Sequence, residues 1–234
     1  MPLPMVHLNV AVLFAESLQG HVEERGSFYL GNIAPDSIHM REGWTRADKE
    51  HTHFKPKDKN EGDYVEQLKE RYSTYIQQHA DEGWKWFVRG YFMHVLTDFY
   101  WFRSVHPQFV EQVTITDQDS GIKRTKDELG RLYYQETDQI DFNLYQEASW
   151  SEEVWQMLEI APGYEVADLL TAEEILRWRD RTFSFFNEST NEPGIVPQYI
   201  TDVKISAFVA NTAQHLKVLL QGWDTELRHA NISI

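Results

Sequence analysis

The sequence predicts an all-α fold, a single domain of about seven or eight helices over residues 1–234. Three observations carry that expectation. Apolar residues recur at helical spacings in several long stretches. Alternating strand patterns are scarce. Helix starts are marked by a proline and by a Thr-x-x-Glu capping pattern.

Pro4 suits the first turn of a helix running to about Leu18. "SLQGHVEERGS" reads as a turn or loop, and "FYLGNIAPDSIHM" as a short apolar segment broken by Gly31 and Pro35. "REGWTRADKEHTHFKPKDKNEGD" is polar and rich in turn residues, which predicts a long loop of the kind that often carries function. A helix begins near "GDYVEQLKERYSTYIQQHA", where Tyr64, Leu68, Tyr72 and Tyr75 stand four, four and three residues apart. "WKWFVRGYFMHVLTDFYWF" is the most apolar stretch and predicts a central helix buried on most of its faces. Pro107 marks a break, "HPQFVEQV" a short helix and "TITDQDSGIKRT" a polar loop. "KDELGRLYYQETDQIDFNLYQE" and "TAEEILRWRDRTFSFFNES" read as long helices, the second opened by Thr171 and Glu174 in capping-box register. "EPGIVPQYI" is a connector, and "ITDVKISAFVANTAQHLKVLLQGW" a last amphipathic helix. The C-terminal half is expected to act as a cap or an interface.

Composition narrows the chemistry. The chain of 234 residues is 41% hydrophobic, 25% charged and rich in aromatics at 14%, enough to bury a core without staples. Cysteine is absent, which excludes disulfides and thiolate chemistry, so any metal must be held by His, Asp and Glu. A net charge of −15 argues against duplex nucleic acid as a partner, since such binding rests on Lys and Arg. A small phosphate ester remains a candidate if a metal supplies positive charge locally. The start "MPLPMVHLNVAVLF" has no basic region and no cleavage pattern, and no run approaches membrane-spanning length. The expected location is therefore cytoplasmic, without stable membrane insertion.

His94 and Asp98 stand one helical turn apart inside "GYFMHVLTDFYW". That register places both on one face, where they could converge on a cation; a hydrogen-bonded His–Asp pair explains the spacing too. The stretch alone still favours that pair; the apolar flanks weaken it, because a buried carboxylate is costly without a partner or a metal. "HTHF" adds His51 and His53, "APDSIH" adds Asp36 and His39, and His7 sits among Met5, Val6, Leu8 and Val10. Each has an ordinary reading: a solvated loop, a turn residue, a hydrogen-bonded core histidine. There is no glycine-rich phosphate loop, G-x-S-x-G or H-E-x-x-H.

The order of these pieces is more specific than any one of them. "YLGNIAPDSIHMR", "KEHTHF" and "GYFMHVLTD", following an early histidine, resemble the short bacterial members of the zinc-dependent phospholipase C family, which is related to single-strand-specific zinc nucleases. The resemblance covers roughly the first hundred residues. It implies an all-α bundle of that type, with Asp36, His53, His94 and Asp98 as the ligands of one zinc. His7 would help to hold a neighbouring zinc, with Asp98 shared between the two. His53 is preferred to His51 because the family places a lysine four residues before the histidine, as in Lys49 and His53.

The sequence departs from the family in three places. It opens at "MPLP" instead of at a ligating tryptophan, it has Ser104 where a further histidine is expected, and it contains no H-x-x-x-E pair. Asp138 and Asp141 share one face of a later helix and could complete a second site; a solvated acidic face explains them equally.

The expected activity is that of a metal-dependent hydrolase of a phosphoric ester. One or two zinc ions, or manganese or iron in their place, would activate a water. Asp36 would orient or deprotonate that water, and Phe54, Trp84 and Trp101 could line an apolar pocket. The alternatives are a binding or scaffold protein with a structural metal or none, and a metallohydrolase of another ester.

Overall fold

A computed structural model describes residues 3–18, 22–55 and 61–232. Among them the chain forms ten α-helices, two 3-10 segments and no β-strand. The helices are α1 Pro4–Ser17, α2 Arg25–Gly31, α3 Arg46–Thr52, α4 Glu61–Ile76, α5 Glu82–Arg103, α6 Val105–Ser120, α7 Lys126–Glu147, α8 Ser151–Ile160, α9 Ala172–Asn187 and α10 Asp202–Ile232. The 3-10 segments are Ala34–Met40 and Ser189–Asn191. The all-α class expected from the sequence is therefore the observed one.

Helix α5 is the axis of the fold and packs against α1, α2, α4, α6, α10 and the segment Ala34–Met40. It is buried without a break from Gly90 to Asp98. Asp81 starts it by accepting the Trp84 N–H at 2.7 Å. Helix α1 is buried at nine of its 14 residues, enclosed between α10, α7 and α5. Its first turn is tied down from outside, because the Asp141 carboxylate on α7 accepts the N–H groups of Met5 at 2.8 Å and Val6 at 3.2 Å. Both donors lie in the first turn, whose N–H groups lack the usual partners four residues back; the Val6 N–H also reaches the Leu3 carbonyl at 3.1 Å.

Helices α2 and α5 cross at unusually close range. A Cβ on Gly31 would strike the Phe87 carbonyl oxygen, and one on Gly90 the Phe28 carbonyl oxygen. The two glycines therefore set this crossing, and the crossing fixes where the chain leaves α2 toward Asn32 and Asp36.

Four stretches differ from the sequence-based expectation. The long loop after Arg41 contains α3, started by a capping box of Thr45 and Asp48. "TITDQDS" continues α6, with the Thr114 and Thr116 hydroxyls donating to the carbonyls four residues back at 2.7 Å and 3.0 Å, until Gly121 closes the helix at φ +69°. Pro107 lies in the first turn of α6, where its missing N–H costs nothing, so the break falls at Ser104. Helices α2 and α8 are the other additions; both are short, and they pack on each other. Residues 19–21 and 56–60 of the expected loops lie outside the described residues.

The C-terminal half closes over the first. Helix α9 lies on the segment Ala34–Met40, where Arg41 pairs with Glu174 through two hydrogen bonds of 2.7 and 2.9 Å. Glu136 on α7 accepts the backbone N–H groups of Gln198, Tyr199 and Ile200, which ties down the connector before α10.

Candidate metal centre

Five side chains from four separate elements converge beside α5. Helix α5 supplies His94 and Asp98, α1 supplies His7, the 3-10 segment supplies Asp36, and the C-terminal end of α3 supplies His53. All are buried, at 1% exposure for His7 and His94 and 6–7% for Asp36, His53 and Asp98. Solvent therefore reaches only the edge formed by the last three.

Ring geometry settles which nitrogens face inward. His94 Nδ1 lies 2.8 Å from the Asn32 carbonyl oxygen, and His53 Nδ1 lies 2.8 Å from the Lys49 carbonyl oxygen. A carbonyl only accepts, so both Nδ1 atoms carry the proton. The two Nε2 atoms then point at each other across 3.3 Å. Burial, ahead of the neighbouring His7, pushes the pKa of His94 down to about 3, so its Nε2 is a bare lone pair at neutral pH. A histidine that donates one N–H to a backbone carbonyl and turns its other nitrogen inward has the usual bearing of a metal ligand.

The carboxylates complete the ring of donors. His53 Nε2 stands 3.4 Å from Asp36 Oδ1 and 3.8 Å from Asp98 Oδ2, and His94 Nε2 stands 4.0 Å from Asp36 Oδ2. Zinc bonds of ~2.0–2.2 Å at tetrahedral angles separate neighbouring ligand atoms by ~3.3–3.6 Å. His7 stacks on His94 with ring centroids 3.8 Å apart and planes 7° from parallel, and its Nε2 lies 3.4 Å from Asp98 Oδ1. Two triads within ligating reach result, Asp36–His53–His94 and His7–His94–Asp98. His94 has one inward nitrogen, so it cannot serve an ion in each. The two inward Nε2 atoms belong to the Asp36–His53–His94 triad, with Asp98 beside it, 3.8 Å from His53 Nε2, and His7 at its flank.

Electrostatics point the same way. Burial works against the charge on Asp36, but the Lys49 ammonium, 2.8 Å from Oδ1, together with His53 and His94 holds its pKa well below the usual carboxylate range. Burial also opposes ionisation of Asp98, and contacts with His7, His94 and His53 outweigh it, so its pKa too is lowered. Both are anions at neutral pH. Yet both ring nitrogens of His7, Asp36 Oδ1 and Asp98 Oδ1 are buried with no aligned hydrogen bond. Buried polar atoms are rarely left so. A proton shared between His53 and His94 would satisfy that one contact alone; a divalent cation would also engage the neighbouring carboxylates, though not both nitrogens of His7. The donor set therefore fits a His/Asp-bound metal ion.

Several neighbours that the sequence does not single out hold this arrangement. The Tyr91 hydroxyl donates to the Thr52 carbonyl at 2.6 Å and the Tyr64 hydroxyl to the His53 carbonyl at 3.3 Å, pinning the chain on either side of His53. Phe54 takes a left-handed backbone, φ +48°, directly after it, at the position where helices usually end in glycine. Asn32 has no sequence signal at all, because its role belongs to its carbonyl.

Other candidates fall elsewhere. His51 is exposed on α3, which separates it from His53. Asp36 sits in the first turn of a buried 3-10 segment instead of on an open turn. Asp141 is spent on the first turn of α1, and Asp138 belongs to neither triad; burial raises its pKa to about 6. The Ser104 hydroxyl donates to the Tyr100 carbonyl, and His106 packs on Tyr133. Phe54, Trp84 and Trp101 are core residues, with the Trp84 indole on the Tyr75 carbonyl and the Trp101 indole on the Tyr133 hydroxyl. A cavity of about 660 Å³ between α7, α8 and α9, walled by Tyr145, Trp155 and Phe183, contains none of the five converging residues.

Comparison of the chain with protein-family models, with curated proteins and with solved structures finds no match.

Proposed function

We propose that this chain is a divalent-metal-dependent hydrolase of a small phosphoric ester, with Asp36, His53, His94 and Asp98 as the ligands of a zinc ion. The observation that carries the reading is the pair of inward Nε2 atoms of His53 and His94, 3.3 Å apart and flanked by two ionised carboxylates. The likeness of its motifs to the zinc-dependent phospholipase C pattern supplies the reaction class. Held by these four side chains, an ion would supply a water of lowered pKa, toward ~7, and a Lewis acid for a phosphoryl oxygen.

The residues of the chain do the rest. Asn32 and Lys49 hold the two imidazoles in one tautomer through their carbonyls. Asp36 stays ionised at any working pH, which suits orienting a water better than keeping a proton taken from it. The near-total burial of His7 and His94 closes the inner side, so substrate approaches over Asp36, His53 and Asp98. His7 and Asp98 would give a second ion only two protein ligands. Manganese or iron would suit the same donors.

A second reading, a structural ion in a non-catalytic protein, is favoured by the same count of donors. Four protein ligands saturate a tetrahedral zinc and leave no open position. Metal analysis of purified protein, paired with hydrolysis of a generic chromogenic phosphodiester, separates the two. Turnover that requires zinc and disappears in His94→Ala supports the hydrolase. Bound zinc without turnover of any phosphoester supports the structural ion, and a folded protein with no affinity for divalent metal sinks both.

A further inference from the structure

Lys49 is the one cationic side chain in contact with the five-residue cluster among the described residues, and it touches the cluster twice. Its carbonyl accepts the Nδ1 proton of His53 at 2.8 Å. Its ammonium lies 2.8 Å from Asp36 Oδ1 and 3.3 Å from His39 Nε2. An ammonium has donors only, so His39 accepts there. The approach to Asp36 is an ion pair off the hydrogen-bond axis, and Oδ1 keeps an unshared lone pair for another cation. His39 is held in turn by Trp44 and Trp178, with ring centroids 4.6 and 5.3 Å away. The lysine side chain is 17% exposed, so its charge is tethered at the solvent-reached edge of the cluster.

Charge arithmetic gives this placement a consequence. Two carboxylates and two neutral imidazoles around a divalent ion sum to zero, which offers an anion no net attraction. Adding Lys49 makes the assembly +1. In a largely buried site that one charge acts through a low effective dielectric, and at a few ångströms it is felt strongly by a bound oxyanion. In a chain of net charge −15, it also offsets a repulsive background.

We propose that Lys49 is the positioning and charge-setting residue of the metal centre: it fixes Asp36 and gives the zinc-loaded site the net positive charge with which it accepts a phosphate oxyanion. The inference rests on the metal reading above and names the ligand class of that site, a tetrahedral oxyanion bound at the Asp36–His53–Asp98 edge.

The experiment has two stages. Zinc content and affinity are measured first for the wild type, Lys49→Met and Lys49→Arg, with helicity followed by circular dichroism. Inorganic phosphate is then titrated into each zinc-loaded protein by calorimetry. The expected result is zinc bound by all three, phosphate binding at least about tenfold weaker in Lys49→Met, and recovery of most of it in Lys49→Arg; Lys49→Gln replaces the methionine variant if that one does not fold. The inference is overturned if zinc-loaded Lys49→Met binds phosphate as the wild type does. It is equally overturned if the variant stays helical but loses zinc, since Lys49 would then serve ligand geometry alone, or if the zinc-loaded wild type ignores phosphate. A wild type that takes up no zinc fails at the first stage, and there the metal reading itself falls.

Discussion

His53 and His94 meet Nε2 to Nε2 at 3.3 Å, and the far nitrogen of each ring is committed to a backbone carbonyl. Neither ring can turn away without abandoning a buried hydrogen bond. The pair is therefore preorganised to share a cation, and removing either member should be felt in metal binding before it is felt in the fold. For His94→Ala we expect zinc affinity to fall by at least the ~10–100-fold typical of outer-shell changes, and by more if the ion is held as proposed. A chelator competition assay measures this, and unchanged affinity would exclude His94 as a ligand.

Acid should act on the metal-free protein through the same residue. The pKa of His94 is pushed down to about 3 in the folded state, against ~6.5 for an ordinary histidine. The unfolded chain thus binds the extra proton between these values. The neutral His94 contributes its full share of stability above about pH 6.5, and that share drains away as pH falls toward 3. Asp36 and Asp98, both lowered, add a loss in the same direction below ~3.9. Asp138, raised to about 6 by burial, works oppositely: its contribution is complete below ~3.9 and gone above about 6. Comparing wild type with His94→Gln isolates the histidine. The gap in thermal midpoint between them should close or reverse from pH 7 to pH 4; parallel curves would count against a neutral buried His94.

Asp141→Ala should destabilise the protein by about 1–3 kcal/mol, since the buried Met5 N–H loses its acceptor while the Val6 N–H keeps only the Leu3 carbonyl at 3.1 Å. Burial pushes the Asp141 pKa well up, while those same two N–H groups favour its charge. Asp141→Asn retains an acceptor and should cost less. Because these N–H groups open the helix that carries His7, a shift of the His7 ring resonances by NMR should accompany the loss. Denaturant melts that leave Asp141→Ala within about 0.5 kcal/mol of wild type would contradict this role.

Gly90→Ala tests the α2–α5 crossing. The new methyl meets the Phe28 carbonyl oxygen, so the helices must separate, at a cost of about 1–3 kcal/mol. The displacement also moves Asn32, whose carbonyl orients His94. Zinc affinity should drop together with stability. A variant that loses stability but binds zinc normally would show that the crossing does not set the site.

Much of the fold could be read locally. Pro4, the Thr171–Glu174 box, and the apolar run of α5 each act within one turn or one face, and each element appears where its pattern stands. The misreadings have local causes too. The Thr-x-x-Asp start of α3 was masked by turn-rich neighbours, and the β-branched "VTIT" of α6 hid a helix that its buried Val113 and Asp117 face sustains. Helices α2 and α8 are too short to show much periodicity.

The site divides along the same line. The sequence by itself determined the donor types, through the absence of cysteine, and the i, i+4 register of His94 and Asp98, because a helix places such residues together wherever it lies. Only the tertiary structure decided that His7, Asp36 and His53, up to 91 residues away in the chain from their partners on α5, reach the same few ångströms. It also decided that Asp141 serves α1 and that Lys49 reaches Asp36. Those outcomes depend on how closely α2 approaches α5 and on which carbonyl each imidazole finds. Both are long-range packing distances, and no spacing along the chain encodes them.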